Sequence, residues 1–181
     1  MRTHKHCLSM LALLAVGLLV GCSTSTKSPD VSASIRKSLD QAGLKDVTVS
    51  QDRDKGLVTL GGHVAAEADK AQAESLARSI AAGQVVANQI AVTPPGVESE
   101  AKTVNSDLDT GIEKNLDAAF IRNRLHKSVK FDVKNGVVTL TGEVNSKSQR
   151  ARAEKAASSV PNVKQVVNEL EIKNPKATSS K

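Results

Sequence analysis

Gly56-Leu57-Val58-Thr59-Leu60-Gly61-Gly62-His63-Val64 returns 80 residues further on as Gly136-Val137-Val138-Thr139-Leu140-Thr141-Gly142-Glu143-Val144. Without gaps, residues 56–93 match residues 136–173 at 13 of 38 positions. Such a repeat decides the architecture before any single element does, and here it means two homologous domains rather than a solenoid. The repeated stretch is rich in Val, Thr and Leu, as a strand requires.

Working outward, each copy reads as α-β-β-α-β. Val31, Ile35 and Leu39 fall four apart, as do Ile112 and Leu116, which is one face of a helix. Thr110 and Glu113 have capping-box spacing and are expected to start the first helix of copy two. Val47 and Val49 then alternate, as do Val129, Phe131 and Val133. Asp54-Lys55-Gly56 and Asn135-Gly136 are turn sequences, and Asn-Gly is a strong hairpin signal. After the repeated strand, Ala73, Leu76, Ala77 and Ile80 mark a second helix, matched by Ala153, Ala156, Ala157 and Val160. Ser146 and Gln149 form a second capping box. Val85, Val86, Ile90 and Val92 close copy one, and Val163, Val166, Leu170 and Ile172 close copy two.

The copies span residues 30–93 and 108–173. Pro94-Pro95-Gly96 and the polar stretch to Asp107 read as a linker over 94–107, and 174–181 as a disordered tail. A unit of roughly 65 residues, poor in aromatics and without staples, has a marginal core, which leaves docking of the two copies on each other an open question.

Leu19-Val20-Gly21-Cys22 reads as a lipobox. Arg2, His4, Lys5 and His6 supply a basic n-region, and Leu8 to Val20 an apolar run too short to span a bilayer as a helix, which takes about 20 residues. Residues 1–21 are therefore expected to be a lipoprotein signal peptide, with Cys22 lipidated and 22–29 a polar tether. Stable anchoring takes more than one acyl chain. Ser23, where Asp would favour inner-membrane retention, points to the periplasmic face of the outer membrane if the source is Gram-negative. Cys7 leaves with the signal peptide, so neither a disulfide nor a cysteine metal site is expected.

Composition narrows the partners. The chain has no Trp or Tyr and only two Phe. It thus lacks the stacking platforms of single-stranded nucleic-acid binders, and no nucleic-acid partner is expected. Charge separates the copies: residues 30–93 carry 7 Lys/Arg against 8 Asp/Glu, and residues 108–173 carry 12 against 8. Copy two gathers Arg122, Arg124, His126, Lys127 and Lys130 at the end of its first helix, and Lys147, Arg150, Arg152 and Lys155 at the opening of its second. Each Lys or Arg near an anionic surface contributes about 1 kcal/mol. The residues taken as a phospholipid-binding set are Arg122, Arg124, Lys127, Lys130, Arg150 and Arg152.

The α-β-β-α-β unit, with Gly136-Val-Val-Thr-Leu-Thr-Gly142 in its second strand and Val166-Val-Asn-Glu-Leu170 at its end, resembles the BON domain of bacterial osmotically inducible and nodulation-related proteins. Two such units behind a lipobox are similar to the dual-BON outer-membrane lipoproteins of the bacterial envelope. The resemblance implies an α+β fold, each unit a three-stranded mixed sheet with two helices on one face. It also implies non-enzymatic binding of anionic phospholipid, chiefly by the second domain, in support of envelope integrity under osmotic or detergent stress. In such lipoproteins the lipid-contacting first helix can begin with a bulky aromatic, whereas Asp107 to Gly111 has none. Copy one departs from the motif at Gly61 and has a longer hairpin.

No catalytic, cofactor or metal site is expected. His63 and His126 sit in unlike contexts, and no His/Asp/Glu group has metal-ligand spacing. Phe120 continues the buried stripe of Ile112 and Leu116 and is expected in the core, and Gly61-Gly62 reads as a turn or bulge. The alternative function is a periplasmic adaptor whose basic face meets an acidic envelope protein.

Overall fold

The computed structural model describes residues 27–173. The signal peptide, Cys22 and the tail lie outside the described residues, as does the tether up to residue 26.

Copy one runs α1 (Ser32–Gln41), β1 (Val47–Asp52), β2 (Leu57–Val64), α2 (Glu67–Ile80), β3 (Val85–Asn88) and β4 (Ala91–Val92). Copy two runs α3 (Glu98–Arg122), β5 (Val129–Lys134), β6 (Val137–Val144), α4 (Lys147–Ser158), β7 (Gln165–Asn168) and β8 (Glu171–Ile172). In each copy the motif strand is central, antiparallel to the first strand and parallel to the last. Alternation sends Val58, Leu60 and Val64 into a core with Ile35, Leu39, Ala73 and Ala77. Val138, Leu140 and Val144 meet Leu116, Phe120, Ala153 and Ala157 in the same way. Phe120 is fully buried, its ring 5.6 Å from that of Phe131.

Residue chemistry explains what the repeat keeps. Asn135 and Gly136 both take positive φ, so two residues link Lys134 to Val137, whereas four separate Asp52 from Leu57. Gly142 (φ +115°) is a close-approach glycine: a Cβ would stand 2.5 Å from the Ser128 carbonyl oxygen, and at Gly62 2.0 Å from that of Asp46. The matched Asn88 and Asn168 each cap a break in the last strand. Their Oδ1 accepts from the N–H two residues on, and their Nδ2 donates to Glu74 and Glu154 on the adjacent helix.

Two expectations need correction. Thr110 and Glu113 start no helix, because α3 already begins at Glu98 and the Thr110 hydroxyl donates to the Ser106 carbonyl in mid-helix. Most of the stretch read as a linker is thus helix, running unbroken into copy two. Residues 28 and 29 of the expected tether are held against the first hairpin: Ser28 N–H donates to the Arg53 carbonyl, and the Gln51 amide to that of Pro29. Ser146 does cap α4, accepting from Gln149 N–H.

The copies dock through the sheet faces that carry no helices. Ala87, Val137 and Val167 form a small buried cluster with Leu57 at its edge.

Candidate functional site: the basic cleft of copy two

Arg150 and Arg152 stand two residues apart, about 200° around a helix, so they cannot share a face. Arg150 lies over the sheet edge, its guanidinium donating to the Asn168 carbonyl at 2.7 Å. Arg152 and Lys155, three apart, do share one. With Arg122 at the end of α3 they line a cleft of about 260 Å³, completed by Ala119, Asn123, Ala156 and Ser159. No acidic side chain lines it. All three cations are exposed, and none forms an ion pair among the described residues.

Two helices end at this cleft, and a helix C-terminus carries partial negative charge that disfavours an anion. At each end a side chain adds a second bond to a carbonyl that already accepts from the backbone. The Asn123 amide donates to the Ala119 carbonyl at 2.8 Å, and the Ser159 hydroxyl to that of Lys155 at 2.7 Å. Neither bond comes from the cationic group of Arg122, Arg152 or Lys155.

Arg124 and Lys127 sit exposed on the turn beyond α3, and Lys130 is exposed on β5. Arg124 has φ +55° and closes the helix in a Schellman arrangement: its N–H donates to the Ile121 carbonyl and Leu125 N–H to that of Phe120. Copy one repeats this geometry with Gly43 (φ +80°), Leu44 and Leu39. Ile121, 53% exposed, projects beside the turn.

Comparison of the copies isolates the site. Arg122, Arg152, Lys155 and Arg124 occupy the places that Gln41, Gln72, Ser75 and Gly43 hold in copy one. Four cations thus replace four neutral residues on an otherwise repeated framework. The first half of α3 has the opposite character, carrying Glu98, Glu100, Asp107 and Asp109 against Lys102. Asp109 is committed to structure, its carboxylate accepting from Asn135 and Gly136 N–H at 2.7 and 2.8 Å. Of the six residues expected to act together, Arg122 and Arg152 share the cleft, Arg124, Lys127 and Lys130 lie beyond α3, and Arg150 faces elsewhere. Lys155, which belongs to the second basic group but lies outside the expected set, joins the cleft through its three-residue spacing from Arg152.

Fold and site together define a duplicated α-β-β-α-β protein with an open, cationic face on one copy. A family model for the BON domain matches residues 28–94 and again 108–174, and the chain belongs to that family. It is 29% identical over 146 residues to the osmotically-inducible protein Y of Escherichia coli (strain K12), covering 79% of this chain and 71% of that protein. Two structures of CdsD, a structural protein of the type III secretion system of Chlamydia trachomatis, are distantly similar. One has a TM-score of 0.35 at 13% identity, over 81% of this chain and 63% of that one. Its C-terminal domain has a TM-score of 0.33 at 12% identity, over 78% and 67%. Likenesses of that size support no function.

Proposed function

We propose that this protein is a lipid-anchored envelope protein that binds anionic phospholipid through its second BON domain and supports outer-membrane integrity under osmotic stress. The observation that carries the reading is the cleft of Arg122, Arg152 and Lys155, with Arg124 beside it, where copy one has neutral residues. Phosphate diesters suit such a site, because guanidinium groups give paired, charge-assisted hydrogen bonds to their oxygens. Four cations at about 1 kcal/mol each give weak, measurable affinity for an anionic surface by themselves, which an acyl anchor at Cys22 would strengthen. The lipobox supports that anchor, the outer-membrane placement follows from Ser23 in a Gram-negative source, and the osmotic role draws on the name of the E. coli relative.

The test is flotation of the unlipidated chain (Cys22→Ser, signal peptide removed) with vesicles containing phosphatidylglycerol or only zwitterionic lipid. Binding is expected with the anionic vesicles alone, weakening as salt rises, because charge attraction is screened within about 8 Å at physiological ionic strength. Reversing Arg122, Arg152 and Lys155 to Glu together should abolish it, and reversing Arg36, Lys37 and Lys45 of copy one should not. Binding indifferent to salt and to the first set, or equally sensitive to the second, would overturn the reading and leave the adaptor as the better one.

A further inference from the structure

The contact between the copies repeats under their exchange. Leu57 and Ala87 meet Val137 and Val167, their own counterparts 80 residues on. Lys55 Nζ reaches the Glu169 carboxylate at 2.7 Å. Asn135, which matches Lys55, donates to the carbonyl of Gln89, which matches Glu169, at 2.8 Å. The docking is therefore a pseudo-two-fold, and its exceptions are informative.

One exception lies at the strand edges. Where a strand pairs in parallel on one side only, alternate residues turn their N–H and C=O outward. On β3 these are Val86 and Asn88, because Val85 and Gln89 donate to the carbonyls of Gly56 and Leu60 on the β2 side. The Gln165 side chain closes that edge with a single carboxamide. Its Nε2 donates to the Val86 carbonyl at 2.7 Å, and its Oε1 accepts from Asn88 N–H at 3.1 Å. Val86 and Asn88 are each only 4% exposed.

At the twin edge the same groups are open. The residue matching Gln165 is Val85, which is 50% exposed and has no side-chain polar group. The outward Val166 C=O and Asn168 N–H of β7 have no protein partner among the described residues, and both residues are only partly buried. Beside them lies a cleft of about 230 Å³ whose lining includes Lys55, Leu57, Val85, Val167, Asn168 and Glu171.

We propose that the β7 edge is a binding site for a carboxamide, the side chain of a glutamine on an extended polypeptide segment of a partner protein. The occupied twin defines the chemistry: a donor and an acceptor on one planar amide span a C=O and the N–H two residues on. The carboxamide takes the edge groups that a partner's main chain would take in strand addition, so a side chain reads this edge. The site is independent of the lipid reading, since Arg150 and not Arg152 lies beside it.

The test uses the unlipidated full chain labelled with ¹⁵N. Val85→Gln supplies the carboxamide in cis and should slow hydrogen exchange at Asn168 N–H about fivefold, the effect of one added hydrogen bond. The capped pentapeptide Thr-Val-Gln-Val-Thr should shift the Asn168 amide resonance of the wild type but not of Val85→Gln. The same peptide with Leu for Gln should shift neither. Unchanged exchange in Val85→Gln would overturn the proposal. So would peptide shifts that are absent, that ignore the Gln-to-Leu change, or that persist in Val85→Gln.

Discussion

Arg124 holds φ at +55° in the place where Gly43 holds +80°. Outside glycine the left-handed region costs about 1 kcal/mol, so copy two keeps a strained arginine where copy one shows that glycine closes the same turn. Strain retained beside a cationic cleft points to a use for the side chain. Arg124→Gly should accordingly raise stability by about 1 kcal/mol, read from urea unfolding, while weakening binding to phosphatidylglycerol vesicles. A loss of both, or a gain of both, would separate Arg124 from the site. No composition or charge count reveals a positive φ. The basic residues were legible one by one, but their partition between cleft, turn and sheet edge depends on helix phase and on the path beyond α3.

The long helix shows the same limit for elements. Pro94-Pro95-Gly96 followed by polar residues reads as a linker, and a Thr-x-x-Glu pattern just before Ile112 reads as a start. Yet Val97, Ala101, Val104 and Leu108 are spaced 4, 3 and 4 apart, and that period carries the helix back to Glu98. Because Val97, Val104 and Leu108 stay exposed at 44%, 56% and 45%, their stripe adds little packing that a sequence pattern could amplify. By contrast Asn135-Gly136 and Ser146-x-x-Gln149 were legible because local backbone chemistry alone fixes them. Gly111 sits exposed inside α3, with nothing within 4 Å of where a Cβ would lie. Gly111→Ala should therefore stabilise the protein by about 1 kcal/mol, measurable as a raised thermal midpoint.

Helix α2 offers a second element-scale test. Lys70 is 7% exposed and donates to the Ile90 carbonyl, and its burial holds its pKa below the ordinary 10.5. The folded chain therefore sheds this proton before the unfolded chain does, and the unfolded state binds more protons in that window. Stability contributed by Lys70 should rise as pH climbs from its folded pKa to 10.5 and fall as pH drops back through it. Urea midpoints of wild type and Lys70→Met, compared between neutral pH and 10, should diverge in favour of the wild type; a constant difference would contradict this.

At the scale of the whole molecule, the repeat and the turns made the two-domain α+β architecture legible, whereas the marginal core of each copy left docking an open question. The docking surface itself was not legible. Leu57, Ala87, Val137 and Val167 alternate with core residues along their strands, so periodicity alone places them facing water. What buries them is the other copy, and that is tertiary information. Duplication with divergence explains the rest: one framework, used twice, keeps Asn, Glu and Gly where the fold needs them and is free to vary where a ligand would be met.

The Asn135-Gly136 turn has a consequence for the chemical ageing of the protein. Asparagine before glycine deamidates when the glycine nitrogen attacks the side-chain carbonyl and closes a succinimide, which opens largely to isoaspartate. Here Gly136 N–H is held by Asp109 and the Asn135 amide by the Gln89 carbonyl, so both reacting groups are restrained while the chain is folded and docked. Isoaspartate would lengthen the main chain of a two-residue turn and remove a contact between the copies. Asp109→Ala should shorten the lifetime of Asn135, seen by mass spectrometry as faster conversion of amide to acid in that peptide. Equal rates in the variant and the wild type would mean that the carboxylate affords no protection. The carboxylate that ties α3 to the hairpin is thus expected to act also as a guard on molecular lifetime.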